Sequence, residues 1–406
     1  MNILMLSDVY FPRVNGVSTS IRTLAQVLAQ QGHAVTLVVP DYSTATVGDD
    51  AHQDEGASGV AIETIRLPSR VIFFDPEDRL IRASALRRVL PELAARHWDV
   101  IHIHTPFRAH RLGVRLARLT GRPTVETYHT YFEEYVGHYL PWAPSSWLRW
   151  IARRASRLLC HGVDHLIVPS AQMVEVLDRY GITTPSTVIP TGIDLTEFTG
   201  GDGARFRAMH GIDTARPTLV TVSRLAVEKN IAFLLEVTRT LRSEFPDVLF
   251  LIAGEGPDAA RLKQLVARMG LHDHVRFFGN LDRRTTLLDA YRAGDVFVFA
   301  SPTETQGLVL TEAMALGVPI VSTAVMGTAA VLHGTRSAVV SDEDVATFAA
   351  HVADLLSSPE KRAALSAAGP ADAAGWGALT MSEKVIALYT KLGSYEKLAS
   401  TRLRAL

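Results

Sequence analysis

Short runs of consecutive apolar residues alternate along this chain with stretches in which apolar residues recur every three or four positions. ILML (3–6) leads to a helix-like stretch around Ile21, Leu24, Val27 and Leu28, then to Gly32 and TLVV (36–39). The later runs are VIHIH (100–104), HLIV (165–168), TLVTV (218–222), LFLIA (249–253), VRFF (275–278), VFVFA (296–300) and PIVST (319–323). Strands that are apolar at every position, rather than at alternate ones, are buried on both faces. Separated by helices, they predict parallel sheets in doubly wound α/β domains.

The rhythm breaks once, at TGIDLTEFTGGDGARF (191–206), and restarts with RPTLVTVSRL. At 406 residues the chain is long for a single core, so two Rossmann-like domains are expected. The first spans 1–199 and the second 200–384, with a terminal helix of about 385–406 packing back on the first. Open sheets of this kind bind ligands outside the carboxyl ends of their strands, so two such domains predict a cleft between them.

Composition supports a globular protein: 47% hydrophobic, 20% charged, and one cysteine, Cys160, which leaves no intrachain disulfide. The start, MNILMLSDVYFPR, lacks a basic leader, and no segment is expected to cross a bilayer. The uncharged window from Ala313 to Thr335 is broken by Gly317, Pro319 and Gly327, and predicts a helix end, a strand and a turn. Net charge is −1, but unevenly spread: Arg79 to Arg157 holds fourteen arginines, no lysine and five acidic residues, a local +9. Such an excess can draw anionic ligands or surfaces. No base-stacking or groove-reading module accompanies it, so a nucleic-acid partner is not expected.

Three loops are candidates for holding phosphate. Asn15-Gly16, followed by Ser and Thr residues, either caps a helix or presents backbone N–H groups to an anion that only glycine lets approach. SRLAVEKN places Arg224 and Lys229 in a strand-to-helix connection, as a solvated basic loop or as two cations for a diphosphate. GEGPDA after LFLIA fits the loose dinucleotide pattern, but VRFF ends in Gly279-Asn280 rather than in an acid. Pro257 there suits the first position of a helix.

SPTETQGLVLTEAMALG (301–317) carries two glutamates eight positions apart. Thr303 and Gln306 form a T-x-x-Q capping box that predicts a helix starting near Glu304. Eight helical steps separate Glu304 from Glu312 by about 12 Å and about 80° around the axis. Paired glycosidase carboxyls lie about 5 to 9.5 Å apart on one site, so two contacts along an extended ligand fit better. Asp342-Glu343-Asp344 suits a solvated loop or helix start better than a metal site. His102 and His104 share a strand face, where a metal pair is conceivable.

Taken in order, these pieces resemble a retaining glycosyltransferase of the GT-B type, family 4, over nearly the whole chain. The E-x7-E of Glu304 and Glu312 followed by AMALGVPIVST is the most specific element. Asn15-Gly16, SRLAVEKN, AGEGP, VRFFGN and IPTGIDLTEF support it. The resemblance implies that Gly16, Arg224 and Lys229 contact the diphosphate of a nucleotide sugar. It gives Glu312 to the ribose hydroxyls and Glu304 to the sugar, with the amides of Thr305, Gln306 and Gly307 aiding. His129, in VETYHTYFEEY, matches the family's active-site histidine, and the backbone near Phe278 would meet the base. No cofactor or metal is implied, because cations and helix amides can stabilise the leaving diphosphate. Two departures stand out: many relatives have a double glycine in place of Asn15-Gly16, and Phe after the first glutamate in place of Thr-Gln.

ETQGL and YHTYFEEYVGHYLP look most like the subgroup that glycosylates diacylglycerol, for which UDP-glucose is the expected donor, with galactose, glucuronate or a GDP-linked sugar as alternatives. In APSSWLRWIARRASRLL, Arg149, Arg153 and Arg157 recur every four residues beside Trp147 and Trp150, with Ile151, Ala155 and Leu158 on an apolar side. Such a helix either lies on anionic lipid or packs in a core with a solvated basic face; Arg111, Arg115 and Arg118 add a second stripe. The expected partners are a nucleotide sugar, a lipid acceptor and an anionic membrane surface. The expected location is cytoplasmic, peripheral on the cytoplasmic face of the membrane. Alternatives are a soluble family-4 transferase acting on a sugar, inositol phosphate or polysaccharide, and a GT-B sugar-nucleotide epimerase.

Overall fold

The structure is a computed structural model that describes residues 1–13, 15–42, 62–72, 75–129 and 145–404. The chain divides into two compact units, Met1–Gly192 with Ala378–Leu406, and Ile193–Gly377.

The first unit is built on a parallel sheet of β1 (Asn2–Leu6), β2 (Ala34–Pro40), β3 (Glu63–Leu67), β6 (Val100–Ile103), β7 (Thr124–Thr127), β8 (His165–Val168) and β9 (Ser186–Val188), in the order β3-β2-β1-β6-β7-β8-β9. A separate antiparallel ribbon joins β4 (Ser69–Ile72) to β5 (Asp75–Ile81). Helices α1 (Gly16–Gln30), α2 (Ala83–Ala95), α3 (Arg108–Thr120), α4 (Ser145–Cys160) and α5 (Ala171–Arg179) connect the strands. Ile3, Met5, Leu37, Val39, Val100 and Val125 form one core with Ile21 and Leu28 of α1.

The second unit has α6 (Gly203–Met209), β10 (Thr218–Val222), α7 (Ile231–Leu241), β11 (Leu249–Ala253), α8 (Ala259–Arg268), β12 (Val275–Gly279), α9 (Thr286–Ala293), β13 (Val296–Phe299), α10 (Leu308–Ala315), β14 (Ile320–Ser322), α11 (Gly327–Leu332), β15 (Ala338–Val340), α12 (Val345–Ser357) and α13 (Pro359–Ala374). Its strands order β12-β11-β10-β13-β14-β15, all parallel. Successive side chains on a strand point to opposite faces. Accordingly Leu249 and Leu251 enter one core while Phe250 and Ile252 enter the other. This is why the strands read as unbroken apolar runs.

Two boundaries differ from expectation. The division falls at Gly192/Ile193 rather than at 199/200, because Ile193 is buried in the second unit's core and its N–H donates to Trp376 O at 3.0 Å. The terminal helix α14 (Ala378–Arg404) begins at Ala378 rather than near 385: Met381, Val385, Leu388 and Tyr389 join the first unit's core. Among the described residues no helix is long and apolar enough to cross a membrane.

Candidate active site

In a sheet wound outward in both directions, the two loops that diverge at the reversal of strand order leave a crevice. In the second unit the reversal lies between β10 and β13. The loop after β10 carries Arg224 and Lys229, and the loop after β13 carries Glu304 to Gly307. The fold thus brings together residues some eighty positions apart in sequence, and Lys229 Nζ pairs with Glu304 Oε1. Arg224 is half-buried and makes no ion pair among the described residues.

The capping box does not form. Helix α10 begins at Leu308, four residues later than expected, and its N-cap is Gly307 at φ +87°, with no side-chain cap. Tertiary contact overrides the local signal. The Gly327 N–H donates to Glu304 O at 2.8 Å, holding residues 304–306 against the start of α11. A Cβ at Gly327 would lie 2.1 Å from Thr305 O, so only glycine permits this approach. Gln306 is buried in the same loop. Glu304 is therefore a loop residue, and the helical arithmetic for the two glutamates does not hold.

Glu312 lies inside α10, a helix buried on nearly every side, and is only 3% exposed. A buried carboxylate needs partners. It has two that the sequence did not suggest: Arg283 Nη2 donates to Oε1 at 2.6 Å, and the Tyr291 hydroxyl donates to Oε2 at 2.8 Å. Burial opposes the charge on Arg283, yet the Glu312 carboxylate overrides this and holds the guanidinium above its ordinary range. Burial, reinforced by Glu312, keeps Tyr291 protonated well beyond its usual range. The guanidinium also lies 5.2 Å from the Phe198 ring centroid.

The other second-unit candidates resolve simply. Gly254 and Gly256 serve packing: a Cβ on either would strike Ser223 O or Leu225 O, at 1.9 and 2.3 Å. Pro257 lies outside α8, whose N-cap is Asp258. Asp344 caps α12 by accepting from Thr347 N at 2.8 Å, while Glu343 accepts from Asn230. Phe278 packs on Phe206 and His210.

In the first unit the strand order reverses between β1 and β6. Asn15 caps α1 through its side chain, accepting from Ser18 N at 2.8 Å, and Gly16 has open space where a Cβ would stand. Asp8, which sequence reasoning missed, is buried just beyond β1. Its Oδ2 accepts from Thr105 Oγ1 at 2.9 Å and Ala109 N at 2.8 Å. Burial pushes its carboxyl up to about 6 against those hydrogen bonds. An acid directly after a buried strand was the available clue.

Three histidines gather at the ends of β6 and β7. His104 Nδ1 lies 3.2 Å from His129 Nε2, and the His102 and His104 ring centroids are 4.0 Å apart. His102 bonds Thr127 Oγ1 at 2.7 Å and Tyr389 OH at 2.6 Å. Burial holds His129 down at about 4 and, aided by His129, His102 at about 3; His104 falls well below the usual histidine value for the same reasons. All three are neutral at pH 7. Among the described residues, no group of three or more His, Cys, Asp or Glu side chains is arranged to hold a metal.

Helix α4 departs from the simple basic stripe. Arg157 Nε donates to Tyr180 O at the end of α5, and the Arg153 guanidinium lies 5.6 Å from the Tyr180 ring centroid. Arg157 answers a helix C-terminus, where positive charge is favoured, and Arg153 the face of an aromatic ring. Leu158 faces solvent, 69% exposed, instead of the core, and Trp150 is 58% exposed with Arg154 over its ring. The side chains of Trp147 and Arg149, and the stretch after His129 in YHTYFEEYVGHYLP, lie outside the described residues.

The sequence profile described as Glycosyltransferase Family 4 matches residues 14–197, and that described as Glycosyl transferases group 1 matches residues 202–372. The chain is 34% identical over 328 residues to alpha-monoglucosyldiacylglycerol synthase of Streptococcus pneumoniae, covering 79% of this chain and 71% of that protein. The chain belongs to glycosyltransferase family 4. This glycosyltransferase is also 29% identical over 334 residues to the alpha-monoglucosyldiacylglycerol synthase of Acholeplasma laidlawii, covering 79% of this chain and 80% of that one. Among solved structures, sucrose-phosphate synthase of Thermosynechococcus elongatus aligns with TM-score 0.74 at 22% identity, over 97% of this chain and 100% of that one. Anabaena HepE in complex with UDP-glucose aligns with TM-score 0.73 at 18% identity, over 96% and 100%. Both likenesses establish the GT-B fold.

Proposed function

We propose that this glycosyltransferase moves a hexose from a nucleotide sugar, UDP-glucose, to the hydroxyl of a membrane lipid such as diacylglycerol, with retention at the anomeric carbon. The observation that carries the reading is the meeting of the Arg224/Lys229 loop with the Glu304–Gly307 loop at the strand-order reversal of the second unit. A sugar–diphosphate bond breaks with positive charge growing on the anomeric carbon and negative charge on the leaving phosphates. Arg224 and Lys229 answer the second charge, Lys229 exchanging Glu304 for phosphate as the donor arrives. Glu304, so released, takes the sugar. The Glu312 carboxylate takes the ribose diol.

In the transfer, the anomeric C–O bond to phosphate breaks, and a new C–O bond to the acceptor forms on the same face. The acceptor proton passes to the leaving phosphate. His129 is held neutral by burial, so it serves the sugar as a hydrogen-bond partner without placing a cation beside a carbon that is itself becoming positive.

The lipid acceptor is supported by the two similar proteins named for glucosyldiacylglycerol synthesis. It is supported independently by exposed Trp150 and Leu158 beside Arg154 on α4, and by exposed Phe107 and Leu119 beside Arg111, Arg115 and Arg118 on α3. Aromatic and aliphatic groups among arginines suit an anionic bilayer surface. The test is incubation with a panel of sugar nucleotides and diacylglycerol vesicles, read by lipid mass spectrometry. A hexosyl-diacylglycerol from UDP-glucose is expected. Nucleotide release without glycolipid from any donor refutes the lipid reading and favours a soluble family-4 acceptor.

A further inference from the structure

We infer that Arg283, together with Tyr291, is a positioning residue that sets the Glu312 carboxylate as a two-pronged acceptor for a vicinal diol, and thereby makes this enzyme select ribonucleotides over deoxyribonucleotides. The inference rests on the assignment of the donor ribose to Glu312 proposed above.

A carboxylate has two oxygens, each with two lone pairs. Arg283 Nη2 occupies one site on Oε1 and the Tyr291 hydroxyl one site on Oε2. One acceptor site remains on each oxygen. Two hydroxyls on adjacent carbons, such as the 2′ and 3′ hydroxyls of ribose, match that pair of vacant sites. The group cannot turn away, because it is gripped at both ends. Tyr291 is fixed by full burial and by stacking on Phe297, with ring centroids 5.4 Å apart.

Charge points the same way. Glu312 is almost wholly buried, and a buried carboxylate keeps its charge, and so its full capacity to accept hydrogen bonds, only beside a compensating cation. Arg283 supplies the compensating charge from the loop after β12, on the side of Phe198. Glu197 adds a second negative charge that favours the guanidinium. Tyr291 supplies a hydrogen bond but no charge, so the two partners are not interchangeable.

The experiment measures binding of UDP and of 2′,3′-dideoxy-UDP to the full chain by calorimetry, with GDP and its dideoxy form run alongside so that either base serves. The wild-type enzyme is expected to prefer the ribonucleotide by about 100-fold, as two hydrogen bonds to a charged acceptor are lost together. Arg283→Met should cut that ratio to under about 10-fold while leaving the dideoxy affinity within about twofold. Arg283→Lys should restore part of it, and Tyr291→Phe should lower it in its own right. A purely structural role would weaken both ligands equally, so equal loss in Arg283→Met overturns the inference. Glu312→Gln separates the two levels of the argument. If it collapses the ratio while Arg283→Met preserves it, Arg283 has no positioning role. If Glu312→Gln itself preserves the ratio, the ribose assignment fails and takes this inference with it. Arg283→Gln, closer in polarity, replaces Arg283→Met should the latter not fold.

Discussion

Replacing His102 with glutamine should remove a defined part of the protein's acid sensitivity. His102 is fully buried on β6, between Thr127 and Tyr389. A neutral ring has one donor and one acceptor, which two hydroxyls can complement; a protonated ring would donate at both and carry a charge with no anion beside it. Its folded value of about 3 lies below the ordinary 6.5, so the unfolded chain takes the proton first. The stability this site contributes is complete above pH 6.5 and is lost as pH falls toward 3. Between pH 7 and pH 5 the loss comes to about 2 kcal/mol. His129, at about 4, behaves alike. Asp8 runs the other way: its folded value of about 6 exceeds 3.8, so the folded state takes the proton first and acid adds about 1 kcal/mol over the same interval. The total slope therefore mixes signs, and only a difference isolates His102. Urea unfolding of H102Q and its parent at pH 7 and pH 5 supplies that difference. A shared Trp376→Phe background leaves every remaining tryptophan in the first unit. Whatever gap separates the two at pH 7 should narrow by about 2 kcal/mol at pH 5. Parallel pH dependence in the two proteins would refute the assignment of a buried, neutral His102.

Three further outcomes are expected. Lys229→Met should lower kcat/KM by at least about 100-fold through loss of charge at the leaving diphosphate, with little change in melting temperature, in steady-state assays of nucleotide release. Gly307→Ala forces a side chain into φ +87° with its Cβ 3.0 Å from Thr328 Cγ2. It should cost about 1–2 kcal/mol in unfolding and weaken UDP binding, while Gly307→Asn, better suited to that backbone, should cost less. Arg207→Leu abandons the carbonyls of Asp213, Thr214, Arg216 and Ala293 and the carboxylate of Asp295. It should cost about 3–5 kcal/mol in urea unfolding followed through Trp376, the second unit's single tryptophan.

The doubly wound architecture was legible because burial on both sheet faces writes itself into every position of a strand. The short strands were not. TVET (124–127), STV (186–188) and AVV (338–340) hold three or four residues each, too few to show a period, and their place is set by neighbours already in the sheet. Arg207 shows a different blindness. Arginine in an amphipathic stretch reads as solvated, whereas this one is buried because five acceptors from two segments, residues 213–216 and 293–295, converge on it. The capping box at Thr303 was a real local signal, overridden by Gly327, twenty-four positions onward, whose significance lies wholly in what it packs against.

The spacing of the two glutamates carries the same lesson into the chemistry. On a continuous helix, eight positions would fix their separation and relative direction. Here the interval contains a loop, a glycine at positive φ and only the first turn of α10, so the spacing does not encode the geometry. The geometry is imposed from outside, by Lys229 from the loop after β10 on one glutamate and by Arg283 and Tyr291 on the other. Each carboxylate is thus already satisfied before any ligand arrives. Under the proposed function the two would respond differently to the donor. Lys229 would leave Glu304 for a phosphate, the Glu304 side chain being 18% exposed, whereas Glu312, its side chain 4% exposed and held by two partners, would offer only its remaining lone pairs. The first glutamate is partly exposed and paired with a lysine, the second buried between an arginine and a tyrosine, a distinction that E-x7-E, read as a string, does not contain.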